Sequence, residues 1–169
     1  MGPDATPLLV GGLAIACVTD LRDRRIPNAL VVALGTMGVG GAALGWSPGL
    51  SLLGALAGLG LGLAIWLPFH LGGMLGAGDV KLFAAAATWL GPRVTIDAAL
   101  LTALLGGVGA ALVLWREAGV RGAALRLAVA CRVPQLLRLT TRPDATRLPY
   151  ALAIAGGVLG ARWLPMGAP

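Results

Sequence analysis

The stretch ALVVALGTMGVGGAALGWSPGLSLLGALAGLGLGLAIWLPFHL, Ala29 to Leu71, contains no Asp, Glu, Lys or Arg, and the uncharged run extends on both sides from Asn28 through Gly78. A helix needs about 20 apolar residues to cross the hydrocarbon core of a bilayer, so this run has room for two. Between them stands WSPG, Trp46 to Gly49, whose Pro and Gly end one helix and begin the next. The rest of the chain has the same character. Of its 169 residues 57% are hydrophobic, only 12% are charged and 27 are glycine, and the mean hydropathy is +0.86. No half of it reads as soluble, and an integral membrane protein is expected.

The same reading gives six apolar blocks: Pro7–Thr19, Ala29–Trp46, Leu50–Leu71, Val80–Leu90, Val94–Trp115 and Leu148–Leu164. The expected fold is all-α, a polytopic membrane protein with six transmembrane helices in a single domain over residues 1–169. The first block is short enough for a signal-peptide core, but Asp4 precedes it and arginines follow it, the wrong polarity for a cleaved signal. Of the 13 Lys and Arg, only Arg93 and Arg162 lie outside when the N-terminus is external; Arg22, Arg24, Arg25, Lys81 and the arginines from Arg116 to Arg147 are then inside. An N-out, C-out topology is therefore expected. The sequence pI near 11.0 reports that topology and contact with anionic lipid at the cytoplasmic face, not nucleic acid. Trp46, Trp89, Trp115 and Trp163 fall at expected helix ends and read as anchors at the headgroup level. Residues 116–147, with Leu and Val between the arginines and Pro134 as an interruption, read either as a solvated cytoplasmic loop or as short interfacial helices.

In this oily chain the exception is GAGDVK, Gly76 to Lys81. A charge at membrane depth costs several kcal/mol, roughly 2.5 to 3.5 on insertion scales, so Asp79 is expected to perform a task. Asp20 closes the first helix and Asp79 opens the fourth, and the topology places both at the cytoplasmic end. The fourth block is too short to cross roughly 30 Å at about 1.5 Å per residue, so Asp79 is expected to be recessed. Two carboxylates in one water-poor pocket ionise unequally, because like charge and low dielectric both oppose the second ionisation. One can then take a proton from a water that attacks a peptide carbonyl, while the other donates to the developing oxyanion. Such chemistry calls for no metal or other cofactor, and the single His and two Cys show no ligand spacing. Gly76 and Gly78 are expected to permit backbone angles closed to other residues and the close approach of a substrate strand. Gly54, Gly58 and Gly62 read instead as a helix-packing seam.

GAGDVKL resembles the Gly-x-Gly-Asp motif of the intramembrane aspartyl proteases, in the G-x-G-D-x-K form of the type IV prepilin leader peptidases. VTDLRDRRIPN, Val18 to Asn28, is similar to that family's first catalytic segment, and LPYALAIAGG, Leu148 to Gly157, to the Pro-Tyr opening of its last helix. The resemblance implies that Asp20 and Asp79 are the catalytic pair, supported by Gly76, Gly78 and Lys81, with Asp23 a solvated ion-pair partner in the arginine loop. Lys81 either orders the motif or adds one more inside charge. Pro27 and Asn28 would open the second helix and Pro149 the last. The implied substrate is a prepilin or pseudopilin whose short basic leader is cut after Gly at the inner face of a prokaryotic cytoplasmic membrane. Longer members carry an N-terminal module with two Cys pairs and an N-methyltransferase activity. This chain, opening on its first helix with only Cys17 and Cys131, resembles the short peptidase-only type that serves Flp or tight-adherence pili, and archaeal preflagellin peptidases share the catalytic plan. Two other classes are weighed against this one. A proton-coupled transporter would show internal repeats, which the sequence lacks, and a non-catalytic pilus-assembly or secretion subunit would need no two acids at one depth. The oligomeric state is left open.

Overall fold

The computed structural model of the chain describes residues 6–47, 49–132 and 150–163, with the backbone alone described for residue 114 and residues 117–132. Among the described residues the architecture is all-α: α1 Thr6–Asp23, α2 Asn28–Ala43, α3 Leu52–Leu71, α4 Ala77–Ala87, α5 Gly91–Arg132 and α6 Tyr150–Trp163. The described residues up to Leu105, with those from Tyr150 onward, belong to one compact unit, and those from Gly106 to Arg132 to another. In the second unit α5 stays helical to Arg132, past the Trp115 at which its apolar run ends. The sequence REAGVRGAALRLAVACR, residues 116–132, explains the continuation, because it is rich in Ala, Leu and Arg and free of proline. The remainder of the expected basic loop, residues 133–147, lies outside the described residues, as does Pro149.

Two helices are long and apolar enough to cross a membrane, α3 over Leu52–Leu71 and α5 over Gly91–Val113, and α2 is a shorter apolar helix. Their outward faces are apolar too: Leu53, Leu63 and Leu67 on α3, and Leu100 and Leu104 on α5, are exposed. Soluble monomers seldom present so much large apolar surface.

The first unit is organised around α4. This helix has only 11 residues, roughly 16 Å of rise, yet all positions from Leu82 to Gly91 are buried. It packs against α1, α2, α3 and α6. Small residues on its neighbours make the close approach possible. A Cβ on Gly58 would run into the Ala87 carbonyl, and one on Gly62 would come within 3.1 Å of Ala84 Cα. Gly38 of α2 closes in the same way on Thr88 and Trp89. Gly58 and Gly62 therefore form the seam expected from the sequence, with the alanines of α4 as its other side. Gly54 does not join it, because a Cβ there would meet only Leu50 and Ser51 of the turn before α3.

Trp89 departs from its expected place at the headgroup level. It is 3% exposed, and its Nε1–H donates to the Leu34 carbonyl of α2 at 3.0 Å. Because α4 is short and ends between its neighbours, its last residues stop inside the protein, and a buried indole N–H needs a partner. Trp89→Phe is expected to lower stability by about 1–2 kcal/mol. Thermal unfolding in detergent checks this, and an unchanged midpoint would show that the bond contributes nothing.

The ends of α1 and α6 fix their relative direction. Cys17 and Asp20, late in α1, touch Ala151 at the start of α6, whereas Arg162 near the end of α6 reaches Thr6 at the start of α1. The two helices run antiparallel, which defines an aspartate end and an arginine end.

Candidate active site

Asp79 owes its position to the way α4 begins. Gly76 is the N-cap, with extended φ −70 and ψ 146, and Asp79 stands three residues into the helix. From there its carboxylate reaches back to accept from the Gly76 N–H, one half of a capping box. A carboxylate in the first turn also faces the favourable end of the helix dipole. A Cβ on Gly76 would lie 2.8 Å from Asp79 Oδ2, so a side chain at 76 would press on the acid. This differs from the conformational reason expected for the glycine, since φ −70 is open to any residue. Gly78 is helical, and a Cβ there would make ordinary contact with Ile26 at 3.5 Å.

Asp20 reaches the same end of the first unit from α1. An acid near a helix C-terminus opposes that helix's dipole, and here a second helix supplies compensation: the Ala151 N–H, at the start of α6, donates to Asp20 Oδ2 at 3.2 Å. The Ala151 carbonyl is held as well, accepting from Cys17 Sγ at 3.5 Å. Three residues beyond Asp20, α1 ends as Arg24 turns to φ 51, its N–H returning to the Asp20 carbonyl at 3.0 Å. Asp20 and Asp79 are both half-buried and near enough for their charges to interact.

Aromatic rings from three helices form a cluster that reaches the pair through Tyr150. Tyr150, the residue before Ala151, lies within electrostatic reach of Asp79, and its ring meets Trp66 of α3 edge-on at 6.0 Å. Trp66 in turn packs on Phe83 of α4 and Phe69, each at 5.6 Å. Tyr150 is thus the ring that carries this cluster to within reach of the carboxylates. The sequence points to Pro149-Tyr150 as a helix opening and does not place Tyr150 beside an acid. The available signal was the motif itself, a polar-tipped aromatic at the start of an otherwise apolar helix.

The remaining residues singled out in the sequence divide. Lys81 is exposed and donates from Nζ to Asn28 Oδ1 at 3.5 Å, joining the starts of α4 and α2. Among the described residues it pairs with no carboxylate. Asp23 is exposed and, among the described residues, makes none of the ion pairs expected of it; an exposed carboxylate beside arginines is satisfied by water. Asn28 does open α2, with Pro27 as its N-cap. His70 holds the loop before α4: Leu75 O can only accept, so His70 Nδ1 is the donor of their 3.0 Å bond.

The arrangement offers two carboxyl groups, one backbone amide fixing each, and a tyrosine beside Asp79. Residues 8–111, which include both aspartates and the glycine motif, match the profile of the type IV leader peptidase family. Over 124 residues the chain is 36% identical to the prepilin leader peptidase/N-methyltransferase of Escherichia coli (strain K12), a stretch covering 64% of this chain and 53% of that protein. The chain thus spans about half the length of that relative. No solved structure matches.

Proposed function

The chain belongs to the type IV leader peptidase family, and on that premise we propose that it is a membrane aspartyl endopeptidase that removes the short leader from prepilin or pseudopilin substrates. In this reading six helices lie across a prokaryotic cytoplasmic membrane, N-out and C-out, with the aspartate end at the cytoplasmic face where the basic residues gather. The apolar helix of the substrate lies in the bilayer beside the bundle, which brings the peptide bond at its cytoplasmic end to the depth of Asp20 and Asp79.

The two carboxyl groups share one proton. The ionised one takes a proton from water as the water oxygen attacks the scissile carbonyl, and the protonated one gives its proton to the carbonyl oxygen. In the second half the newly protonated group donates to the leaving nitrogen while its partner takes a proton from the tetrahedral carbon's hydroxyl. The C–N bond breaks and the shared proton is restored, so the pair supplies and recovers every proton in the cycle. The observation that carries this reading is the convergence of two half-buried carboxylates from helices far apart in sequence, each met by a backbone N–H. A cap on α4 alone would need no second acid beside it.

Co-expression with a prepilin tests the proposal. Wild type is expected to shorten the precursor, and Asp20→Asn and Asp79→Asn each to leave it uncut although the protein still inserts. Processing that survives both changes would reject the peptidase reading. Gly76→Ala tests how closely the acid must be held. Its methyl group, 2.8 Å from Asp79 Oδ2, is expected to displace the carboxylate and lower kcat by about tenfold to a hundredfold. Stability should change little, because alanine accepts the Gly76 backbone angles. Equal loss of stability and rate would point to a merely structural glycine.

A further inference from the structure

The arginine end holds a charged feature that leader cleavage does not use. Arg162, in the last turn of α6, is half-buried. Its Nη1 donates to the Trp89 carbonyl at 3.3 Å and its Nη2 to Thr6 Oγ1 at 2.9 Å. Both acceptors are neutral, and among the described residues no carboxylate pairs with the guanidinium. The two bonds set the plane of a group that has five N–H donors, leaving others to be satisfied. A partly buried cation at a membrane-embedded helix end is stabilised by an anion that can reach it. Beside it opens a cavity lined by Thr6, Leu90, Val94, Arg162 and Trp163. Its lining thus joins one cation to the apolar Leu90 and Val94. Trp163 is 70% exposed, the amphipathic ring expected where headgroups meet acyl chains.

We propose that this cavity binds the phosphate of a membrane phospholipid, with Arg162 receiving the phosphodiester oxygens and Leu90 and Val94 the first carbons of an acyl chain. The proposal rests on the chain's lying in a membrane but not on its cleaving a leader. Phosphate suits a planar guanidinium, which can engage two oxygens at once. The bound lipid would place a negative charge where the start of α1, the α4–α5 turn and the end of α6 meet.

The test is native mass spectrometry of protein extracted from membranes in mild detergent and exposed to phosphatidylglycerol. Wild type is expected to retain a lipid adduct, and Arg162→Gln to retain about tenfold less. The amide of Gln keeps one donor for Thr6 or Trp89, so the helix ends stay joined. Arg162→Lys should fall between, having the charge without the fork. Val94→Phe, which narrows the cavity and leaves the arginine in place, is expected to lose the adduct, while Arg93→Gln should keep it. Equal retention by wild type, Arg162→Gln and Val94→Phe would overturn the lipid site and leave the peptidase reading intact. Displacement of the adduct by inorganic phosphate at matched concentration would reassign the site to free phosphate. Recovery of wild type in the soluble fraction would overturn the membrane reading itself.

Discussion

Asn in place of Asp79 is expected to lower the rate of leader removal by at least about a thousandfold, within the range that acid–base groups supply, with the protein still folded and inserted. The side chain keeps its volume, and its amide oxygen can still accept from the Gly76 N–H, so the start of α4 is preserved. What is lost is the ability to take up and release a proton. Asn at position 20 should act in the same way, because its oxygen can still accept from the Ala151 N–H. Groups that work as a unit are strongly non-additive, so the double variant is expected to be no slower than either single one. Losses that multiply would mean that the two acids serve separate steps. Rates measured with detergent-extracted protein and a purified prepilin, alongside circular dichroism of each variant, separate these outcomes.

The largest effect on folding is expected from Gly58→Leu. Its Cβ would enter the Ala87 carbonyl, and a helix backbone cannot step aside as a flexible side chain can, so the cost should exceed ordinary overpacking and reach at least about 3 kcal/mol. Because α4 is held between α2 and α3, displacing it also displaces Asp79, and activity should vanish together with monodisperse protein after extraction. Gly60 is the control. It lies on the same helix with nothing within 4 Å of a Cβ, and Gly60→Leu should stay within about 0.5 kcal/mol of wild type. If the two variants behave alike, the α3–α4 seam does not hold the first unit together.

Much of this was legible in the residues, and the exceptions have physical causes. Apolar runs broken by WSPG and by GAGD located the helices because bilayer and core burial demand the same residue types. The pair Asp20 and Asp79 stood out because carboxylates are rare in such a chain. What the runs could not show is which face of each helix meets which neighbour. Trp89 and Trp163 both stand near helix ends, and only the packing of α4 separates the buried ring from the exposed one. The amide that fixes Asp20 belongs to the backbone of Ala151, and a backbone donor leaves no trace in residue identity. Gly76 was recognisable as special, but the reason is the proximity of Asp79 Oδ2, which its torsion angles do not reveal. The helix beyond Trp115 was obscured because arginines mark a loop in a membrane protein and yet are good helix formers.

The proximity of Asp20 and Asp79 can be probed in the membrane itself. In a background with Cys17 and Cys131 replaced by Ser, Asp20→Cys and Asp79→Cys in one chain should be joined by a short bis-thiol cross-linker, giving an intramolecular product with high yield. Neither single-cysteine chain should give it. Absence of that product, with the two thiols labelled by an impermeant reagent from opposite sides of the bilayer, would contradict a shared carboxylate site.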